Sequence, residues 1–169
     1  MPKTYPQRLL DFAKQYVPLL RTYLEREELR DVDKLIRDEL VKKMQELIDK
    51  INDVKRELVD SGRLAGLDLL DRSTHKLEKL RDSIRFASRG YSGVFDLEQL
   101  NEQVLNRLIE FDQNLFEQIN SLADKVKEVL SRPKSELKTT LRELDEEIDI
   151  FEEKLDQRDS YARKTSEEC

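Results

Sequence analysis

Apolar residues recur three and four positions apart through almost the whole chain. In the last long stretch they are Leu137, Leu141, Leu144, Ile148, Phe151 and Leu155. That spacing lays one stripe of side chains along one side of an α-helix. Earlier stripes read Leu9, Phe12, Tyr16, Leu20, Leu24; then Val32, Ile36, Leu40, Met44, Leu47, Ile51, Val54, Leu58; then Leu67, Leu70, Thr74, Leu77, Leu80, Ile84; then Leu97, Leu100, Val104, Leu108, Phe111, Leu115, Ile119, Leu122, Val126, Val129. The pattern predicts an all-α protein: an elongated antiparallel helical bundle of four to five long helices with coiled-coil-like packing. The expected helices cover about 5–27, 32–60, 64–89, 97–130 and 133–157, forming one domain over 1–157. Residues 158–169 are polar, carry no stripe, and read as a fraying C-terminal tail.

The breaks in the pattern have local causes. Thr4 with Gln7 resembles a capping box, and Pro18 predicts a kink in the first helix. The stripe lapses between Glu25 and Asp33, where Asp31 or Asp33 is a candidate cap for the second helix, and a continuous helix is the competing reading because no Gly, Pro or Asn interrupts the segment. Gly62 suits the left-handed position just past a helix end. Gly90-Tyr91-Ser92-Gly93 marks a loop, after which Asp96, Gln99 and a Phe95–Leu100 staple predict the start of the fourth helix. Ser131-Arg132-Pro133 marks the next reversal, with Ser131 as cap and Pro133 in the first turn. Short connections between long helices predict antiparallel neighbours, with the first helix extending one end or lying across the others.

Composition agrees with few loops, since only 4 Gly and 4 Pro occur among 169 residues. Net charge is −6 with a sequence pI near 5.1. That balance disfavours broad electrostatic adhesion to nucleic acid or anionic membranes. No window of ~18 apolar residues is present to span a bilayer. The first residues lack the apolar run of a secretory leader, and the one cysteine, Cys169, allows no internal disulfide, so the expected location is cytoplasmic.

Candidate chemistry is sparse. His75 and Glu78 stand in the reverse of the order used by di-iron bundles and have no second copy, so no metal or cofactor is expected. Cys169 has no predicted setting that would activate a thiolate, and Gly90-Tyr91-Ser92-Gly93 lacks the full nucleophile-elbow pattern. The run Glu143, Asp145, Glu146, Glu147, Asp149, Glu152, Glu153, Asp156 reads as an outward acidic face. Basic residues of the third helix, Arg72, Lys76 and Lys79 on one ridge and Arg81, Arg85 and Arg89 on another, are expected to face that acidic helix. Arg81, Arg85 and Arg89 lead into Tyr91 and Phe95, making these five the candidate site for a protein partner or an anion. Phe116, beside the stripe position Leu115, reads as core widening ahead of an exposed contact. The expected function is non-enzymatic. It is protein–protein contact as a scaffold, adaptor or small subunit, with self-association included. A nucleic-acid or anionic-ligand module is the alternative.

Overall fold

The computed structural model describes residues 5–16, 29–90 and 102–167. Among these residues the protein is all-α: α1 (Tyr5–Tyr16), α2 (Leu29–Asp60), α3 (Leu67–Gly90), α4 (Glu102–Val129) and α5 (Leu137–Glu167). The four long helices form a bundle and the short α1 lies on its side. The stripes read from the sequence become one contiguous apolar cluster. It includes Leu40, Met44, Leu47, Ile51 and Leu58 of α2, Leu70, Leu77 and Ile84 of α3, Leu115, Leu122 and Val126 of α4, and Leu141, Ile148 and Phe151 of α5. Burying that many large side chains, each contributing about 1.5–3 kcal/mol, is what holds helices with so heavily charged outer faces together.

Each long helix touches two of the other three: α2 meets α3 and α4, and α5 meets α3 and α4. The bundle is therefore a square made of two hairpins, α2–α3 and α4–α5. Within each hairpin the helices are antiparallel, as the short connections require. Across the hairpins they run parallel. Arg72 and Lys76 of α3 meet Asp145 and Asp149 of α5 in ascending order. Sequence neighbours alone could not show this, because the parallel contacts join elements far apart in the chain.

One end of the square is closed by turns. Gly62 takes φ +68°, with Gly62 N–H donating to Val59 O at 3.0 Å and Arg63 N–H to Leu58 O at 2.8 Å. That pair of bonds ends α2 in a Schellman arrangement, as its glycine foretold. The Arg63 guanidinium then donates to the carbonyls of Leu130 and Arg132, satisfying backbone acceptors where α4 ends. Gly66 takes φ +85°, and a Cβ there would sit 3.0 Å from Leu141 Cδ1 and 3.6 Å from Lys138 Cα. Glycine thus lets the start of α3 press against the start of α5. Gly66→Ala should cost about 1–2 kcal/mol from the left-handed backbone alone, with further loss from the contact; Gly62→Ala, which meets no atom within 4 Å, should cost less. Urea titration of the two variants measures the difference.

Several boundaries differ from the expectation. Asp31 and Asp33 lie inside α2, which already runs from Leu29, so neither caps it. Residues 131–136 are turn, with Glu136 N–H donating to Pro133 O at 3.0 Å, so Pro133 precedes α5 rather than sitting in its first turn. The polar residues after Gln157 continue α5 to Glu167, with Arg158 and Ala162 buried on the core side. A charged residue occupying a stripe position hid that extension. The kink at Pro18, the Asp96 cap and the Phe95–Leu100 staple fall outside the described residues.

Candidate functional site

The interior holds two carboxylates that the stripes do not reveal. Asp145 is 2% exposed. It sits on the flank of α5 that faces α3, where it accepts from Ser73 Oγ at 3.1 Å, from Lys76 Nζ at 3.1 Å and from Arg72. Lys76 also reaches Asp149. Burial by itself would raise the Asp145 pKa, but hydrogen bonds from Lys76, Arg72 and Ser73 outweigh it and hold the carboxyl below its ordinary value. The expected pairing of α3 cations with the acidic α5 is thus present for Arg72 and Lys76. The outward reading fits Glu143, Glu146, Asp149, Glu153 and Asp156, which are exposed, and fails for Asp145.

The second buried carboxylate is Asp112 of α4. Arg158 of α5 grips it with Nε at 2.7 Å from Oδ1 and Nη2 at 3.4 Å from Oδ2, and both side chains are about 5% exposed. Around them lie Ile36, Leu40, Ile84 and Leu155 together with the charged Arg37 and Asp159, lining a cleft of about 10 Å³, and Arg158 Nη1 also reaches Asp159 at 3.5 Å. That volume is at most one water molecule's worth. Asp145 and Arg158 stand roughly 20 Å apart along α5 at ~1.5 Å per residue. The two inward carboxylates therefore do not converge on a shared site. Each is absorbed by a cation from a facing helix. Among the described residues, no group of three or more His, Cys, Asp or Glu is placed to hold a metal ion. His75 is exposed on α3 with Nδ1 3.3 Å from Glu78.

The five candidate residues are not brought together as one described surface. Arg81 lies on the α2 flank of α3, where it donates to Gln45 and, at 2.9 Å, to Asp82. Arg85 is exposed, and Arg89 lies near the end of α3. Tyr91 and Phe95 lie outside the described residues. Steps of four residues carry the Arg81–Arg85–Arg89 ridge gradually around the helix, so it starts against α2 rather than facing α5.

The outward faces of α3 and α5 tell more. The line His75, Lys79, Asp82, Phe86 points away from the bundle on α3, and Phe86 is 59% exposed. On α5 the outward line is Glu143, Glu146, Ile150, Glu153, Gln157, with Ile150 47% exposed amid carboxylates. Neither apolar residue stands out in the sequence, because an odd Phe or Ile beside a stripe looks like core.

The third feature is the seat of α1. Phe12 and Tyr16 stack beside Phe116 of α4, with ring centroids 5.3–5.5 Å apart in all three pairs and Phe12 edge-on to Phe116 at 78°. Phe116 is fully buried, so the core-widening reading holds, and Phe12 and Tyr16 of α1 pack against it. Arg8 pairs with Glu110 at 2.8 Å, and the Tyr16 hydroxyl donates to Glu117 at 2.9 Å. Hydrogen bonds from Arg8, then from Arg107, hold the Glu110 carboxyl below its ordinary value. Burial, then the Glu117 hydrogen bond and charge, raise the Tyr16 pKa. A lowered carboxyl contributes stability above its unfolded value, lost as pH falls through the folded one. A raised phenol contributes below its unfolded value and is lost as pH climbs through the folded one. The seat should therefore be firmest between about pH 5 and pH 9 and loosen on both sides. The ring resonances of Tyr16 followed by NMR across pH should move at both edges; invariance down to about pH 3 would contradict the acidic half.

No protein-family model, curated protein or solved structure matches the chain. No helix among the described residues is long and apolar enough to cross a membrane.

Proposed function

We propose that the protein works without catalysis, through protein–protein contact, as a scaffold, adaptor or small subunit of a larger assembly. The observation that carries this reading is the outward placement of Phe86 and Ile150 on α3 and α5, each surrounded by charged side chains. An apolar anchor inside a polar rim is how helix faces recognise partners: the anchor contributes affinity on desolvation and the rim sets orientation. The acidic rim around Ile150 suits a partner with basic flanks. The pairing of Asp112 with Arg158, and of Asp145 with Lys76 and Arg72, supports the non-enzymatic part, because those carboxylates serve the fold. The anion-binding alternative gains no such support, since Arg81 is engaged by Gln45 and Asp82.

Static light scattering over a concentration series, together with recovery of co-purifying proteins, tests the reading. Association or a partner should be found, and Phe86→Glu or Ile150→Lys should weaken it. A strict monomer at high concentration with no co-purifying protein would count decisively against it.

A further inference from the structure

The two hairpins dock in the less expected of two squares. In an up-down-up-down bundle with short connections, consecutive helices commonly stand side by side, so that neighbours are antiparallel. Here α3 and α4, consecutive among the described helices, stand across the diagonal. α3 lies beside α5 instead, and α2 beside α4, in parallel. Parallel neighbours bring like ends of their macrodipoles together, which opposes this docking. The alternative square exchanges the places of α4 and α5 and keeps both hairpins. Apolar contact is non-directional, so stripes of Leu, Ile and Val do little to choose between the two.

What distinguishes the observed square is polar. Asp145 of α5 and Ser73 of α3 are both buried. Ser73 Oγ and Lys76 Nζ each donate to Asp145 Oδ1 at 3.1 Å, and Arg72 donates to Oδ2. All three donors stand on α3 and the acceptor on α5, so the cluster bridges one hairpin to the other. The Asp112–Arg158 pair does not, because both members belong to the α4–α5 hairpin. Any square that parts α3 from α5 takes these donors from Asp145. Slippage does the same: a slide of one heptad puts Leu80 or Gly66 in the place of Ser73. A buried carboxylate deprived of its partners costs far more than the paired one contributes.

We propose that Arg72, Ser73, Lys76 and Asp145 form a topology lock, which selects the parallel docking of the two hairpins and its register by penalising the alternatives. The lock acts through what it forbids and adds little to the stability of the square it permits. It also decides which outward faces adjoin. Phe86 of α3 and Ile150 of α5 stand on neighbouring helices in the observed square. The exchanged square would set them across the diagonal.

The test uses the full-length chain carrying Cys169→Ser and a pair of nitroxide labels, with distances read by double electron–electron resonance. One pair is Lys79→Cys of α3 with Glu153→Cys of α5, and the other is Lys79→Cys with Asn120→Cys of α4; all three positions are exposed. In the otherwise wild-type chain each pair should give one distance. Ser73→Ala with Asp145→Leu then makes the seam apolar, leaving Arg72 to solvent and Lys76 on Asp149. This variant should stay helical and melt no lower than wild type. It should nevertheless show a second distance in both pairs, in about a tenth of molecules or more. The second distance should be longer for Lys79–Glu153 and shorter for Lys79–Asn120 if the square exchanges. A register slip, which lengthens both, supports the lock as well. Leu144→Ala, beside Asp145, removes core volume and leaves the lock in place, so it should lower the melting temperature and keep one distance per pair. The proposal is overturned if Ser73→Ala with Asp145→Leu keeps the single wild-type distance in both pairs. It is equally overturned if that variant unfolds, since the cluster is then a source of stability and not of choice.

Discussion

Replacing Arg158 with methionine should cost about 3–5 kcal/mol, whereas replacing Arg158 and Asp112 together with apolar residues should cost little or even stabilise. The asymmetry follows from where the pair sits. Both side chains are withdrawn from water beside Ile36, Leu40, Ile84 and Leu155, with Arg37 and Asp159 at the same cleft. Methionine fills the space of the arginine stem but takes from the buried Asp112 carboxylate the cation that meets both its oxygens, and a buried charge that loses its principal partner is among the most expensive defects available to a fold. Arg158→Lys keeps the charge and loses the planar fork that meets both carboxylate oxygens, so it should fall between wild type and Arg158→Met. The double variant Asp112→Leu with Arg158→Met removes both members of the buried pair and leaves Arg37 and Asp159 at the edge of the same cleft. Urea titration of wild type, Asp112→Leu, Arg158→Met and the double variant gives the interaction energy directly. At this chain length the single loss should lower the melting temperature by roughly 6–20 °C. Near-additive single effects in the double variant would show that the pair is not coupled as drawn.

That pair also explains which parts of the fold were legible. The stripe from Leu137 to Leu155 announces α5 because each member is apolar and buried. Arg158 follows in phase and is buried like its predecessors, yet it reads as surface because charge is the usual mark of solvent. Its partner, 46 residues earlier in the chain, is what makes the position tolerable, and no local window contains both. Asp145 fails for the same reason. It lies on the flank of α5 facing α3, and only the parallel juxtaposition of those helices brings Lys76, Arg72 and Ser73 to it. Gly62, by contrast, was legible because a helix end followed by a left-handed residue is decided within a few residues. The candidate ridge Arg81–Arg85–Arg89 illustrates the limit. Its spacing is local, but whether it faces solvent, α2 or α5 depends on the square arrangement of the bundle. The exposure of Phe86 and Ile150 was hidden for the mirror reason, since an apolar residue next to a stripe differs from core only once its neighbours are known.

Phe116→Ala should release α1 while leaving the four-helix bundle folded. Large-to-small changes of a buried phenylalanine cost about 3–5 kcal/mol where the surroundings cannot collapse. Here they can, because the wall opposite Phe116 is a short helix joined to the rest of the described structure by α4 contacts alone. The loss therefore falls on the docking of α1, and once α1 has left, further loss at this site has nothing more to undo. Leu122→Ala should behave differently. Leu122 is fully buried in the four-helix interior, so its cavity lowers the stability of the bundle as a whole. Tryptic digestion under native conditions separates the two outcomes. The Phe116→Ala protein should yield a stable product lacking the residues before α2, at a urea midpoint close to that of wild type. Phe12→Ala should do the same from the other side of the contact, and the two changes together should cost less than their sum, because each removes the partner of the other's edge-to-face pair, itself worth about 0.5–1.5 kcal/mol. If Phe116→Ala and Leu122→Ala instead unfold the whole chain alike, α1 is an integral wall of the core, and the face beneath it is not a separable seat.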